Sequence, residues 1–158
     1  VYSDAENETV IRAVQTVVDE AIARPILVGR PSALNEIIED LGLRIRLGED
    51  VDVINPRSYD KYEEYSRDYH QIAGRNGVSV ERSSVLLRTD STVIAAMALR
   101  NGDADGMICG KVGRFTDHFQ TLRSVIGIQG SDVRASTLTT LLFDDGPLFL
   151  TDCFIDLY

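Results

Sequence analysis

Apolar residues recur at spacings of three and four at Val10, Ile11, Val14, Val17, Val18, Ala21 and Ile22. That is the period of a helix with one buried face, so it predicts an amphipathic helix over 6–23. The pattern then changes to the unbroken apolar run Pro25-Ile-Leu-Val-Gly29, which predicts a short buried strand. Helical spacing returns with Leu34, Ile37, Ile38 and Leu41, predicting a helix over 33–41 with Ser32 as its cap and Gly42 at its end. Residues 51–55, Val-Asp-Val-Ile-Asn, predict another strand closed by Pro56.

Tyr59, Tyr62, Tyr65, Tyr69 and Ile72 form a stripe over 57–75. It is read as the face of a helix lying on a sheet, with tyrosine hydroxyls at the solvent edge, rather than as a ligand platform. A short helix over 79–88, capped by Ser79, comes next. Another helix starts at Asp90 or Ser91, presents Val93, Ile94, Met97 and Leu99, and stops at Asn101-Gly102. Residues 104–110, Ala-Asp-Gly-Met-Ile-Cys-Gly, predict a strand that leads through 111–116 into a helix over 116–126. Residues 133–143 and 147–155 predict a strand pair around the turn Asp144-Asp-Gly-Pro147. Strands alternating with helices imply an α/β protein with a mainly parallel sheet and helices on both faces. The shift from helix-rich to strand-rich sequence places a boundary near 130–137, dividing the chain into 1–132 and 133–158.

The 158 residues suit one domain of ordinary size, and a 44% hydrophobic fraction is enough for a core. The 25 acidic and 16 basic residues leave a formal charge of -9, which argues against non-specific binding to nucleic acid or to an anionic membrane. A small anion can still be held locally by a helix N-terminus and a few arginines. Cys109 and Cys153 sit in apolar runs without a CxxC and are read as buried thiols of a reducing, cytoplasmic compartment. Two isolated histidines, His70 and His118, give no metal-ligand spacing. No apolar run approaches the roughly 18 residues of a membrane span. The opening VYSDAE lacks the basic and apolar parts of a signal peptide and reads as the tail of a strand.

In open α/β sheets, ligands gather at the carboxyl ends of strands, which directs attention to 110–123. Gly110 allows a sharp turn after its strand, and Gly113 lets backbone amides approach a ligand. Thr116 lies at the next helix start, where unpaired N–H groups favour an anion. Lys111, Arg114 and Arg123 add positive charge, and a guanidinium suits bidentate phosphate contacts. Neither GxGxxG nor GxxxxGK[ST] occurs, so neither a dinucleotide nor a Walker-type site is implied. Asp117 and His118 are adjacent on a helix and do not face each other. Ser136-Thr-Leu-Thr-Thr140 has hydroxyls but no recognisable base. Asp60, Glu63, Glu64 and Asp68 read as a solvated helix face.

Four segments in order resemble one family: residues 4–13 (DAENETVIRA), 23–31 (ARPILVGRP), 101–110 (NGDADGMICG) and 122–127 (LRSVIG). The set is similar to the first part of the phosphate acetyl/butyryltransferases. Residues 41–50 (LGLRIRLGED), Asn55-Pro56 and 88–96 (RTDSTVIAA) most resemble the phosphotransacetylase-type domain at the C-terminal end of large bacterial NADP-dependent malic enzymes. The resemblance implies a three-layer αβα fold of the isocitrate/isopropylmalate dehydrogenase-like kind, with two subdomains and a cleft between them, of which 133–158 would begin the second. It implies dimerisation through that second subdomain. It also implies a reaction in which arginines hold acetyl phosphate while a CoA thiolate attacks, without a metal cofactor.

One of the family's phosphate-binding arginines falls on Arg123; the other aligns with Ala73, two residues from Arg75. The serine–arginine pair and aspartate that complete the family site belong to a region beyond Tyr158. The resemblance therefore implies a regulatory domain that senses acetyl-CoA or a related acyl-CoA, without acyltransferase turnover. It would be fused behind domains that convert malate to pyruvate and CO2 with NADP and Mg or Mn. A piece of a free-standing phosphate acyltransferase, and a ligand-free assembly domain, are the alternatives.

Overall fold

A computed structural model describes residues 1–127 and 136–151. The chain divides into two compact units, Val1–Ile126 and Gly127–Tyr158. The first is a mixed α/β unit. Its elements are α1 (Glu8–Asp19), β1 (Ile26–Val28), α2 (Pro31–Asp40), β2 (Asp52–Ile54), α3 (Tyr62–Ala73), a 3-10 turn (Gly74–Asn76), α4 (Val80–Thr89), α5 (Ser91–Arg100) and α6 (Phe115–Val125).

β1 and β2 pair in parallel, with Ile26, Leu27 and Val28 opposite Asp52, Val53 and Ile54. Tyr2 bridges in parallel to both Leu27 and Ile108. The Tyr2 amide donates to the Ile26 carbonyl, and the Ser3 amide to the Ile108 carbonyl. Four extended segments therefore lie in the order β2, β1, Tyr2, Ile108, all running the same way. The strand expected over 104–110 contracts to the bridge at Ile108. That residue is 59% exposed at the edge, and the glycines at 106 and 110 weaken pairing on either side.

Side chains alternate between two apolar clusters, as the two-residue period of extended chain requires. Ile26, Val28 and Ile54 join Tyr65, Tyr69, Leu87, Ile94, Met97 and Val125 of α3–α6. Leu27, Val51 and Val53 join Ile11, Val14, Leu34 and Ile38 of α1 and α2. Full burial of each large apolar side chain stabilises by about 1.5–3 kcal/mol.

Helix ends account for most departures from the expected pattern. α1 stops at Asp19, not 23, because Ala21 takes φ 52 and the Ile22 amide turns back to the Val17 carbonyl. This left-handed stop is repeated with the expected glycines after α2 (Gly42, φ 61) and α5 (Gly102, φ 79). α2 begins at Pro31, with Arg30 rather than Ser32 as its N-cap, since proline's fixed φ and missing N–H suit a first helical turn. Residues 57–61 are not helical. The Asn55 side chain accepts from the Arg57 amide, a local turn that competes with helix. Ser79 and Asp90 cap α4 and α5 through their side chains.

Tyr62, Tyr65 and Tyr69 are buried, so the aromatic stripe is a core face. Its hydroxyls are not left at the solvent edge. Tyr62 donates to the Ser84 carbonyl at 2.6 Å and Tyr65 to Asp103 Oδ2 at 2.5 Å. Cys109 is half-buried rather than buried, and Cys153 lies outside the described residues.

In the second unit, β3 (Leu138–Phe143) and β4 (Gly146–Thr151) form an antiparallel hairpin in which Leu138 pairs with Thr151 and Phe143 with Gly146. The expected strand residues 133–135 and 152–155 lie outside the described residues. Leu142 and Phe149 are exposed on the hairpin.

Candidate functional site

The carboxyl ends of the parallel segments converge on one cavity of about 440 Å³, reached by Ser3 after Tyr2, Gly29 after β1, Pro56 after β2 and Val112 after Ile108. Parallel strands feed helices from this end, so helix N-termini meet here. Asn7, the N-cap of α1, Arg30, the N-cap of α2, and Ser91, the first residue of α5, all line the cavity. Three arginines, Arg30, Arg57 and Arg88, face two carboxylates, Asp4 and Glu6, in a chain that is strongly acidic overall.

Both carboxylates are engaged. Glu6 Oε1 accepts from the Arg30 amide (2.9 Å) and Nε (3.1 Å), and Oε2 accepts from Nη2 (3.0 Å). The Arg30 side-chain bonds hold the Glu6 carboxyl below the usual glutamate range, and the charge of Arg57 adds to this. Asp4 Oδ2 accepts from the amides of Gly110 (2.9 Å) and Lys111 (3.0 Å). Arg88 lies 4.4 Å from the centroid of the Tyr62 ring.

The residues singled out in 110–123 fall on the turn that leads past this cavity, up to Arg114, and on α6. Gly110 and Gly113 take φ 91 and 98, conformations that favour glycine. The amides of Gly110 and Lys111 donate to Asp4 Oδ2. Gly113 makes room for His118 instead. A Cβ at 113 would stand 3.0 Å from His118 Nε2. That nitrogen donates to the Val112 carbonyl at 2.7 Å, so in the neutral ring Nδ1 accepts from the buried Thr92 hydroxyl at 2.8 Å. His118 therefore fastens the loop to α5.

Arg114 is the exposed N-cap of α6 and pairs with Asp117 at 3.0 Å. Lys111, Thr116 and Arg123 are exposed. Thr116 and Arg123 are seven residues apart on one face of α6, about 10 Å along its axis. None of the six predicted site residues lines the cavity, and the loop reaches it only through Val112. Arg30, Arg57 and Arg88, which do line it, were not singled out from the sequence. Gly29-Arg30-Pro31 and Asn55-Pro56-Arg57 each place an arginine just past a predicted strand, a signal available in the sequence.

Cys109 carries a thiol pushed up by burial and by the nearby Asp4 charge, so it is not an activated nucleophile. Among the described residues, no group of three His, Cys, Asp or Glu side chains is placed to hold a metal ion. None of their helices is long and apolar enough to cross a membrane.

A parallel α/β unit with its cavity at the strand ends belongs to a known class. The Phosphate acetyl/butaryl transferase family matches residues 1–158, and the chain belongs to that family. Its relatives include two malic enzymes. The chain is 37% identical over 155 residues to the NAD-dependent malic enzyme of Rhizobium meliloti, covering 98% of this chain and 20% of that protein. It is 35% identical over 156 residues to the NADP-dependent malic enzyme of Escherichia coli, covering 99% and 21%. The phosphate acetyltransferase of Nitratidesulfovibrio vulgaris is 26% identical over 156 residues, covering 99% and 22%. The chain thus spans about a fifth of the length of these relatives. Among solved structures, the phosphotransacetylase of Streptococcus pyogenes superposes with a TM-score of 0.82 at 20% identity, covering 98% of this chain and 46% of that one. The EutD phosphotransacetylase of Staphylococcus aureus gives 0.81 at 19% identity, with the same coverage. These two likenesses concern the fold.

Proposed function

We propose that this chain is the phosphotransacetylase-like regulatory part of an NADP-dependent malic enzyme, binding acetyl-CoA or a related acyl-CoA without turning it over. The observation that carries the reading is the similarity to malic enzymes along nearly the whole chain, at 35–37% identity against 26% for a phosphate acetyltransferase. The parent would work in the cytoplasm as a homo-oligomer, using NADP and Mg or Mn in domains outside this segment. The full fold would be three-layer αβα of the isocitrate/isopropylmalate dehydrogenase-like kind. Residues 1–132 would form its first subdomain, and 133–158 would begin the second.

Absence of turnover is supported at Ala73. This position, which the resemblance sets against one of the family's arginines, is 2% exposed and packed in the core. Arg75 opens on a hollow with Asp68, Gln71 and Arg100, apart from the strand-end cavity. Losing one charge-assisted clamp removes about 1.5–3 kcal/mol of anion binding per bond. Effector control requires acyl-CoA to prefer one state of the assembly, and each tenfold preference corresponds to about 1.4 kcal/mol. In this reading Gly110, Lys111, Gly113, Arg114, Thr116 and Arg123 border the acyl-CoA.

Calorimetric titration of the parent enzyme with acetyl-CoA is expected to saturate, and acetyl phosphate plus CoA is expected to give no product. Arg123→Ala is expected to weaken inhibition of malate oxidation by acetyl-CoA. Robust acyl transfer would favour a true acyltransferase, and no binding would favour an assembly domain.

A further inference from the structure

We infer that residues 110–114 form a strap along one side of the strand-end cavity, pinned by His118, and that releasing the pin frees the strap while the rest of the first unit stays folded. The inference is independent of the regulatory reading.

The strap is held by side chains rather than by its own backbone. Among the described residues, no backbone–backbone hydrogen bond engages residues 109–113. A helix or strand would lock the same residues through their own N–H and C=O groups. Here a carboxylate holds one end and an imidazole holds the middle. Asp4 Oδ2 accepts from the amides of Gly110 and Lys111 at 2.9 and 3.0 Å. His118 Nε2 donates to the Val112 carbonyl at 2.7 Å, and Nδ1 accepts from the Thr92 hydroxyl at 2.8 Å. Thr92 is 3% exposed in the first turn of α5. The pin is therefore rooted in the core at one nitrogen and grips an exposed loop with the other.

Three features make the strap separable from the unit that carries it. Gly110 and Gly113 take φ 91 and 98 on either side of Lys111 and Val112, and glycine absorbs backbone rotation at the smallest steric cost. Residues 110–114 are all exposed, so little apolar burial opposes their movement. The bare Cα of Gly113 admits the imidazole, since a Cβ there would stand 3.0 Å from His118 Nε2. Val112, which borders the cavity, is an apolar side chain left 56% exposed. Where the strap lies thus decides how that side of the cavity is walled. His118 acts on the cavity through Val112, which makes it a positioning residue.

The test is limited trypsin digestion of the full parent enzyme, with fragments assigned by mass spectrometry. Lys111 is the strap's own cleavage point, and a protease cuts where the chain opens locally. Arg24 and Arg44, exposed elsewhere in the first unit, serve as reference sites. His118→Phe keeps a ring and loses both bonds. It is expected to be cut after Lys111 faster than wild type by about tenfold, the shift expected of one hydrogen bond, with the reference sites unchanged. In His118→Gln the amide can still donate to the Val112 carbonyl, so its rate is expected to fall between those of His118→Phe and wild type. Thr92→Val removes the hydroxyl behind the ring and is expected to accelerate the same cut by a smaller factor. Should phenylalanine unfold the unit, the two milder variants still read Lys111 against the reference sites. Cleavage after Lys111 that outpaces the reference sites in none of the three variants overturns the strap, because His118 is then a structural contact like any other.

Discussion

Replacing Tyr65 by phenylalanine tests whether the aromatic stripe on α3 is core with one polar duty. The ring is fully buried, and its hydroxyl donates at 2.5 Å to Asp103, which also pairs with Lys61. Phenylalanine keeps the packing and removes only the donor. A hydrogen bond to a charged group contributes about 1.5–3 kcal/mol. The lower end applies because Asp103 keeps Lys61 and its side chain is 21% exposed, so water can replace the lost donor. About 1.5 kcal/mol should lower the thermal midpoint by roughly 3–6 °C in a chain of this size.

The penalty should depend on pH. Burial, then the bond to Asp103, push Tyr65 above the ordinary tyrosine value of 10.0. A raised pKa gives stability that is complete below the unfolded value and is lost as pH rises towards the folded one, because the unfolded chain releases its proton first. Wild type should therefore lose stability above pH 10 while Tyr65→Phe loses less, and the gap should narrow. At the acid end, the bonds from Lys61 and Tyr65 hold Asp103 below its ordinary value of 3.8. That stability is present above 3.8 and disappears as pH falls through the folded value, again more steeply in wild type. Urea unfolding followed by near-ultraviolet circular dichroism reads both limbs. Equal stability at pH 7, or a gap that widens in alkali, would refute the reasoning.

Two further outcomes probe the loop after Ile108. Gly113→Ala meets both a φ of 98 and a contact 3.0 Å from His118 Nε2, so it should destabilise by about 1–3 kcal/mol in urea unfolding; wild-type stability would mean the loop is not fastened as described. Asp4→Ala removes the acceptor shared by the amides of Gly110 and Lys111, which should then exchange with solvent faster by hydrogen exchange. Unchanged protection would show that other groups hold them.

Elements with a strong local period were legible in the chain. Val10, Ile11, Val14 and Val18 marked α1, and Leu34, Ile37 and Ile38 marked α2, because one buried face imposes its spacing on the sequence. The left-handed stop at Ala21 was not legible, since alanine carries no signal for positive φ and the apolar pattern runs on to Ile22. The strand over 104–110 failed for a non-local reason: among the described residues its bridge partner is Tyr2, more than a hundred residues earlier. The candidate site divides in the same way. Glycines at a strand-to-helix turn are visible locally, and the positive φ at 110 and 113 agrees with them. What those glycines serve depends on Asp4 and His118, which only the fold brings to them.

The same distinction governs which charges are available to a ligand. A basic residue in a glycine-rich loop suggests an anion site, yet Arg114 is paired with Asp117 three residues on, and the loop's amides already hold Asp4. Arg30 sits directly on the cavity and is equally committed, to Glu6. A bound carboxylate is itself an anion in an anion site, so Asp4 and Glu6 show where the backbone and Arg30 direct positive potential. Having been answered internally, those donors offer a ligand little unless a carboxylate leaves. Arg57 and Arg88 come from the loop after β2 and the last turn of α4, and among the described residues neither forms an ion pair. Charge count alone ranks Arg30, Arg57 and Arg88 equally; the hydrogen bonds from Arg30 to Glu6 set it apart from the other two.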